Sequence, residues 1–243
     1  MQTNIDVYGL QLGNDYTIPS PYFENTKIGI SLSYSDTSQK FNFNGKGIGK
    51  TYSVALYSTI SPTDNSYLDI VGAYYHHKQK LKTYTSSKHL INSNYNLDAY
   101  SLSTEFGYSF SLKHGYFIEP QLQGLYTNLD DISYITTLNT KIKGYGIDST
   151  MVRLGIMFGK RWENHAQTYI LVDMIKEFAT KSKIKVANTI FHEKLDETFY
   201  KISAGFDLNI VSKAHTFAKI GTSFGNNSIK IPIEGIFGIR LNF

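Results

Sequence analysis

Two groups of residues in this 243-residue chain have side chains suited to chemistry. The first is Glu105, Glu119, Arg153 and Arg240, with Gln121 beside them, each in the polar register of an alternating segment. Carboxylates and guanidinium groups on adjacent strands can pair across a wet interior through charge-assisted hydrogen bonds. Such pairs either stiffen a wall or hold a polar guest. The second group is His76-His77, with Asp69 and His89 nearby in sequence. A metal or acid–base site needs its ligands at fixed spacing on a shared element, which these residues lack. The stretch from His76 to Leu97 reads as a solvated loop. His114, His165, His192 and His215 fall on turns or loops at different levels, and no nucleophile pairs with them in sequence. No catalytic residue, metal site or cofactor is assigned, and the chain is not expected to be an enzyme. Cysteine is absent, which removes disulfide and thiol chemistry.

The elements that must hold these charges are strands. Helical periodicity is hard to find; even Tyr169 to Lys183, the best helical candidate, reads as well as a strand. Period-2 alternation recurs from end to end, and alternate side chains of a strand point to opposite faces. From Tyr100 to Leu112, the set Tyr100, Leu102, Thr104, Phe106, Tyr108, Phe110 and Leu112 opposes Ser101, Ser103, Glu105, Gly107, Ser109 and Ser111. Ile118, Pro120, Leu122 and Tyr126 oppose Glu119, Gln121 and Gln123, while Val152, Leu154, Ile156 and Phe158 oppose Arg153 and Gly155. In the last stretch Ile231, Ile233, Phe237, Ile239, Leu241 and Phe243 oppose Glu234 and Arg240. About eleven such segments of roughly ten residues are visible, the length a tilted strand needs to cross a bilayer.

The apolar face points into a core or out into lipid, and composition bears on which. Tyr 19 and Phe 15 bring aromatics to 14%, yet the mean hydropathy is only −0.25. Aromatics recur near segment ends, as in Tyr34, Tyr52, Tyr100, Phe110, Phe158 and Phe224. That banding matches the interfacial girdles of a membrane barrel. No run approaches the ~18 apolar residues of a membrane helix. Backbone groups cannot stay unpaired in lipid, so such strands must close on themselves around a polar lumen. The expected fold is therefore all-β, a transmembrane antiparallel up-and-down barrel. A soluble barrel with its apolar face inward is the competing reading.

Connections alternate in length. Lys113 to Gly115, Ser61 to Ser66, Glu163 to Gln167 and Val211 to His215 are short; Asp36 to Lys50, His76 to Leu97, Asn128 to Thr150 and Thr180 to Thr198 are long, and the last link, Asn226 to Lys230, is a short exception on the long-loop side. Short periplasmic turns and long extracellular loops give that rhythm in a bacterial outer-membrane barrel, with the carboxyl end periplasmic. The net charge of +4 is mild and scattered, so no nucleic-acid partner is expected. Residues MQTNIDVY lack a secretion signal. No linker or composition shift divides the chain, so residues 1–243 are expected to form one domain.

The chain resembles the C-terminal β-domain of bacterial autotransporters (type V secretion) over essentially its whole length. The resemblance is carried by YGLQLGNDY (Tyr8 to Tyr16), YLDIVGAYY (Tyr67 to Tyr75), SLSTEFGYSF (Ser101 to Phe110), YFIEPQLQGLY (Tyr116 to Tyr126), VRLGIMFGKRW (Val152 to Trp162) and the ending GIRLNF. It implies a twelve-stranded outer-membrane barrel that anchors, and takes part in exporting, an N-terminal passenger. A linker helix threads the lumen of such barrels, where Glu105, Glu119, Gln121, Arg153 and Arg240 would meet it. Phe243 matches the terminal aromatic read by the barrel-assembly machinery, and outer-membrane lipid is the surrounding partner. The segments here start at what resembles the family's second strand, so the first strand and the helix are expected to be missing. The alternative is a porin-like or adhesin-like barrel that works through its outer loops.

Overall fold

Strict apolar–polar alternation leaves a strand one surface to hide and one to wet, and neighbouring strands must register those surfaces. The computed structural model describes residues 3–19, 23, 25–41, 44–84, 87–162, 166–179, 182–193, 196–211, 214–225 and 230–241. Among the described residues, sixteen strands run in chain order: β1 (Thr3–Ile18), β2 (Asn25–Phe41), β3 (Gly45–Thr63), β4 (Ser66–Tyr84), β5 (Leu90–Tyr108), β6 (Phe110–Ser111), β7 (Tyr116–Leu129) and β8 (Ile132–Ile135). They continue as β9 (Lys141–Gly144), β10 (Ile147–Arg161), β11 (Ala166–Ala179), β12 (Ser182–Val186), β13 (Thr189–Glu193), β14 (Glu197–Val211), β15 (Ala214–Gly225) and β16 (Lys230–Leu241).

Eleven long strands form the wall, antiparallel and next to their sequence neighbours, in the order β1-β2-β3-β4-β5-β7-β10-β11-β14-β15-β16; β6 continues the line of β5 against β7. Each pair keeps one register along most of its length, with irregularities between Ile60 and Thr63, Asn209 and Val211, and Gly221 and Ser223. β1 and β16 are the two edges of this curled sheet. A second sheet, β13-β12-β9-β8, is built from the connections between β7 and β10 and between β11 and β14.

The apolar face points outward. Among the described residues only Ala99, Phe117, Leu171 and Ile175 are buried apolar side chains. Leu32, Leu56, Leu102, Leu122, Ile156, Ile170 and Ile220 all stand exposed on the outer wall. Contiguous apolar surface on this scale has no place in water, which removes the soluble reading. Aromatics border it in two bands. Tyr34–Tyr52, Tyr74–Tyr100 and Tyr200–Phe224 pair toward one rim, with centroids 5.3, 5.2 and 5.9 Å apart. Tyr108–Phe110 and Tyr116–Phe158 pair toward the other, at 4.7 and 5.9 Å. Tyr116 and Tyr126 lie ten residues apart on β7. That is about 33 Å along the strand and roughly 25 Å along the barrel axis at ~40° tilt, the height of a lipid-facing band.

The long connections expected as loops are largely strand, which corrects that reading. β2 runs on to Phe41 and β3 begins at Gly45; β4 runs to Tyr84 and β5 begins at Leu90. His76 and His77 are therefore strand residues, paired with Asp98 and Leu97. Beyond the aromatic band both faces of a strand are wet, so a segment such as HHKQKLKTY loses its apolar face while its ladder continues. Strand length varies around the wall, from 19 residues in β3, β4 and β5 to 12 in β15 and β16. Phe243 and His165 lie outside the described residues.

Candidate functional site in the barrel lumen

The inward register brings the charges singled out from sequence onto one patch of wall. Glu105 on β5 faces Gln123 on β7, which faces Arg153 on β10. One inward step toward the short-turn rim, Gln121 faces Gly155, and Gly155 faces Asp173 on β11. The Arg153 guanidinium uses all three nitrogens. Nη2 meets Glu105 Oε2 at 2.7 Å, and Nη1 meets Asp173 Oδ1 at 2.6 Å. Nε donates to Gln123 Oε1 at 2.9 Å, and Nη1 also donates to Gln121 Oε1 at 3.1 Å.

The partners are themselves held. Tyr67 Oη donates to Glu105 Oε1 at 2.8 Å, Gln121 Nε2 to Glu119 Oε1 at 2.9 Å, and Gln123 Nε2 to Ser103 Oγ at 2.9 Å. Arg153 and Asp173 side chains are 14% and 2% exposed. Charges removed from water this far need such geometry, because the desolvation cost is otherwise unmet. Lys201 pairs with Glu234 on the same face, and Lys219 joins Arg153, Glu105, Asp173 and Lys201 around a cavity of about 510 Å³.

Space for the hub comes from backbone without side chains. A Cβ on Gly155 would lie 2.6 Å from Asp173 Oδ1 and 3.0 Å from Arg153 Nη1. A Cβ on Gly107 would collide with the ring of Tyr67, its cross-strand neighbour. The same ring-over-glycine contact recurs as Tyr57 on Gly29, Phe117 on Gly159, Tyr169 on Gly205 and Phe217 on Gly238. Each pair is directly opposite across a ladder, where an aromatic ring shields bare backbone.

Of the residues expected in the lumen, Glu105, Gln121 and Arg153 meet directly, and Glu119 joins through Gln121. Arg240 stands apart: its Nε is 4.0 Å from Asp15 Oδ2, across from β16 to β1, and its side chain is 53% exposed. Tyr57 Oη donates to the same carboxylate at 3.2 Å. Asp173 was missed in the sequence. Its signal was its place between Val172 and Met174, in the register opposite the lipid-facing pair.

The histidines form a different arrangement from the one expected. His76 Nδ1 meets Asp98 Oδ1 at 2.6 Å, and Tyr74 Oη donates to the same oxygen at 2.8 Å. His77 Nδ1 lies 2.7 Å from Thr51 Oγ1, while His215 reaches Asn209 at 2.7 Å. Among the described residues no group of three or more His, Asp or Glu side chains could hold a metal ion.

An outward apolar wall around a charged lumen defines a membrane-spanning barrel, and comparison with known proteins gives its family. The family model for the autotransporter β-domain matches residues 1–221; the chain belongs to that family, whose β-domains are outer-membrane barrels. It is 23% identical over 220 residues to the autotransporter CRAC of Citrobacter rodentium, covering 89% of this chain and 14% of that protein. It is 24% identical over 220 residues to the autotransporter adhesin/invasin TibA of Escherichia coli, covering 89% and 22%. The chain thus spans less than a quarter of the length of these relatives. Among solved structures, the β-domain of the Bordetella autotransporter BrkA superposes with a TM-score of 0.86 at 21% identity, covering 99% of this chain and 92% of that one. The transport unit of AIDA-I from Escherichia coli gives 0.85 at 18% identity, covering 99% and 84%. The family match does not favour the porin-like reading.

Proposed function

We propose that the chain is the translocator β-domain of an autotransporter, anchoring an N-terminal passenger in the outer membrane and helping to export it. The observation that carries this reading is the inside-out wall: apolar side chains face lipid while Arg153, Glu105 and Asp173 line a wet passage. Residues 1–243 act as one barrel. Arg240 on edge β16 reaches toward Asp15 on edge β1, and one further strand between the edges would complete the twelve. The partners are lipid around the wall, the barrel-assembly machinery reading Phe243, and a linker helix that meets Glu105, Glu119, Gln121, Arg153 and Arg240. The rim of long hairpins lies outside the cell, and the rim of short turns, with the carboxyl end, is periplasmic.

Sidedness is tested on intact cells with an epitope at Ala187–Asn188, between β12 and β13, or at Asp64–Asn65, between β3 and β4. Antibody should bind the first and not the second; the reverse pattern would overturn the orientation. Export is tested by expressing the domain behind a reporter passenger and linker. Surface display of the reporter is expected, and a reporter retained in the periplasm behind a folded barrel would overturn the translocator reading.

A further inference from the structure

Above the tyrosine band, the outer face of β2, β3 and β4 turns from apolar to cationic. Lys46 on β3 sits directly opposite both Lys40 on β2 and Lys82 on β4. Lys50 sits opposite Lys78 and Asp36, and Lys80 lies opposite Ile48. All six lysines are exposed, while Gly45, Gly47 and Gly49 between them on β3 are buried and face inward. Their register continues that of Tyr34, Tyr52 and Tyr74, so they stand on the lipid-facing surface just past its aromatic edge. The same level on β5, β7 and β10 carries Asn92, Asn94, Asn96, Asp98, Asn128 and Asp148, and no lysine. On the wall, six lysines thus cluster on β2, β3 and β4.

Like charges directly opposite on a sheet repel, and Lys46 has one on each side. The acids on this face are Asp6 and Asp36, with Asp98 already engaged by His76 and Tyr74. Lysine at the boundary of a lipid-facing band attracts anionic headgroups, and removing each such charge weakens binding roughly five-fold. We propose that Lys40, Lys46, Lys50, Lys78, Lys80 and Lys82 form a docking surface for the phosphorylated headgroup of a lipid in the surrounding leaflet. The lysines between Lys50 and Lys46 cover about 13 Å along the strand, which suits a headgroup with more than one phosphate. A lipid rather than free phosphate is the occupant because Ile48 stands exposed among the lysines and the apolar wall runs unbroken below them. The inference rests on the outer-membrane reading.

The test uses the purified full chain in phosphatidylcholine nanodiscs doped with bisphosphorylated lipid A or with its dephosphorylated form, retained lipid being counted by native mass spectrometry. The unaltered chain should retain the bisphosphorylated form preferentially, and excess inorganic phosphate should not displace it. K46Q/K50Q/K78Q/K82Q should lose that preference by at least ~10-fold, whereas K141Q/K143Q on the second sheet should keep it. Equal retention by the fourfold variant, equal retention of the dephosphorylated lipid, or release by inorganic phosphate would each overturn the proposal. Folding is checked separately by the gel shift between boiled and unboiled samples. With lysine repulsion relieved, the variant should unfold in pure phosphatidylcholine no earlier than the unaltered chain, and earlier unfolding would count against it. Retention is read on purified protein without reference to sidedness, so it fails or succeeds independently of the epitope and export experiments.

Discussion

Arg153 and Arg240 are the same residue on the same inward register, yet they live differently. Arg153 has strands on both sides, and four neighbours on β5, β7 and β11 converge on its guanidinium. Arg240 is on an edge strand, with one carboxylate at 4.0 Å and half its side chain in solvent. The chemistry of a lumen charge is therefore set by whether the ladder continues beyond it. An interior strand delivers partners at fixed cross-strand spacing; at the edge, the carboxylate nearest Arg240 comes from across the open seam, outside any ladder.

The largest effect should come from Arg153→Met, which removes the guanidinium held between Glu105 and Asp173. Removing one member of a buried ionic group costs about 3 kcal/mol or more, read from denaturant unfolding in detergent micelles. A loss under ~1 kcal/mol would mean that lumen water screens the hub and that the two arginines are alike after all. Gly107→Ala comes next. The new methyl must push the Tyr67 ring off β5 and with it the hydroxyl that holds Glu105, for a loss of about 1–3 kcal/mol. Combined with Arg153→Met the two losses should fall short of additive, because both act through Glu105. Full additivity would uncouple ring from hub. Tyr67→Phe removes only the hydroxyl and should cost about 1 kcal/mol, mostly abolished in a Glu105→Gln background. Smallest is Arg240→Gln, expected within ~0.5 kcal/mol, as for an exposed pair. A cost matching that of Arg153→Met would show that the seam is held as tightly as the interior wall.

The faces of the strands were legible because lipid and lumen impose opposite demands on alternate residues. Glu105 and Arg153 stand out as charges flanked by Thr104, Phe106, Val152 and Leu154. β11 hid its contribution because its inward residues Leu171 and Ile175 are apolar and buried, so Asp173 sat in a stretch apolar on both faces. The second sheet was invisible for the opposite reason. Lys141, Lys143, Lys183 and Lys185 alternate with Ile142 and Ile184, but on segments of four and five residues, too short to separate from loop. The proximity of Tyr67 to Gly107 could not be read either, since it depends on the register between β4 and β5 rather than on either strand alone.

The unequal strand lengths have a consequence for anything leaving the lumen. Seven more residues in β3, β4 and β5 than in β15 and β16 amount to about 23 Å of extra strand, or roughly 18 Å of height at ~40° tilt. The mouth is thus a slanted spout with a tall back and a low lip. Under the translocator reading, a polypeptide leaving by this mouth meets a higher wall at β3, β4 and β5 than at β15 and β16.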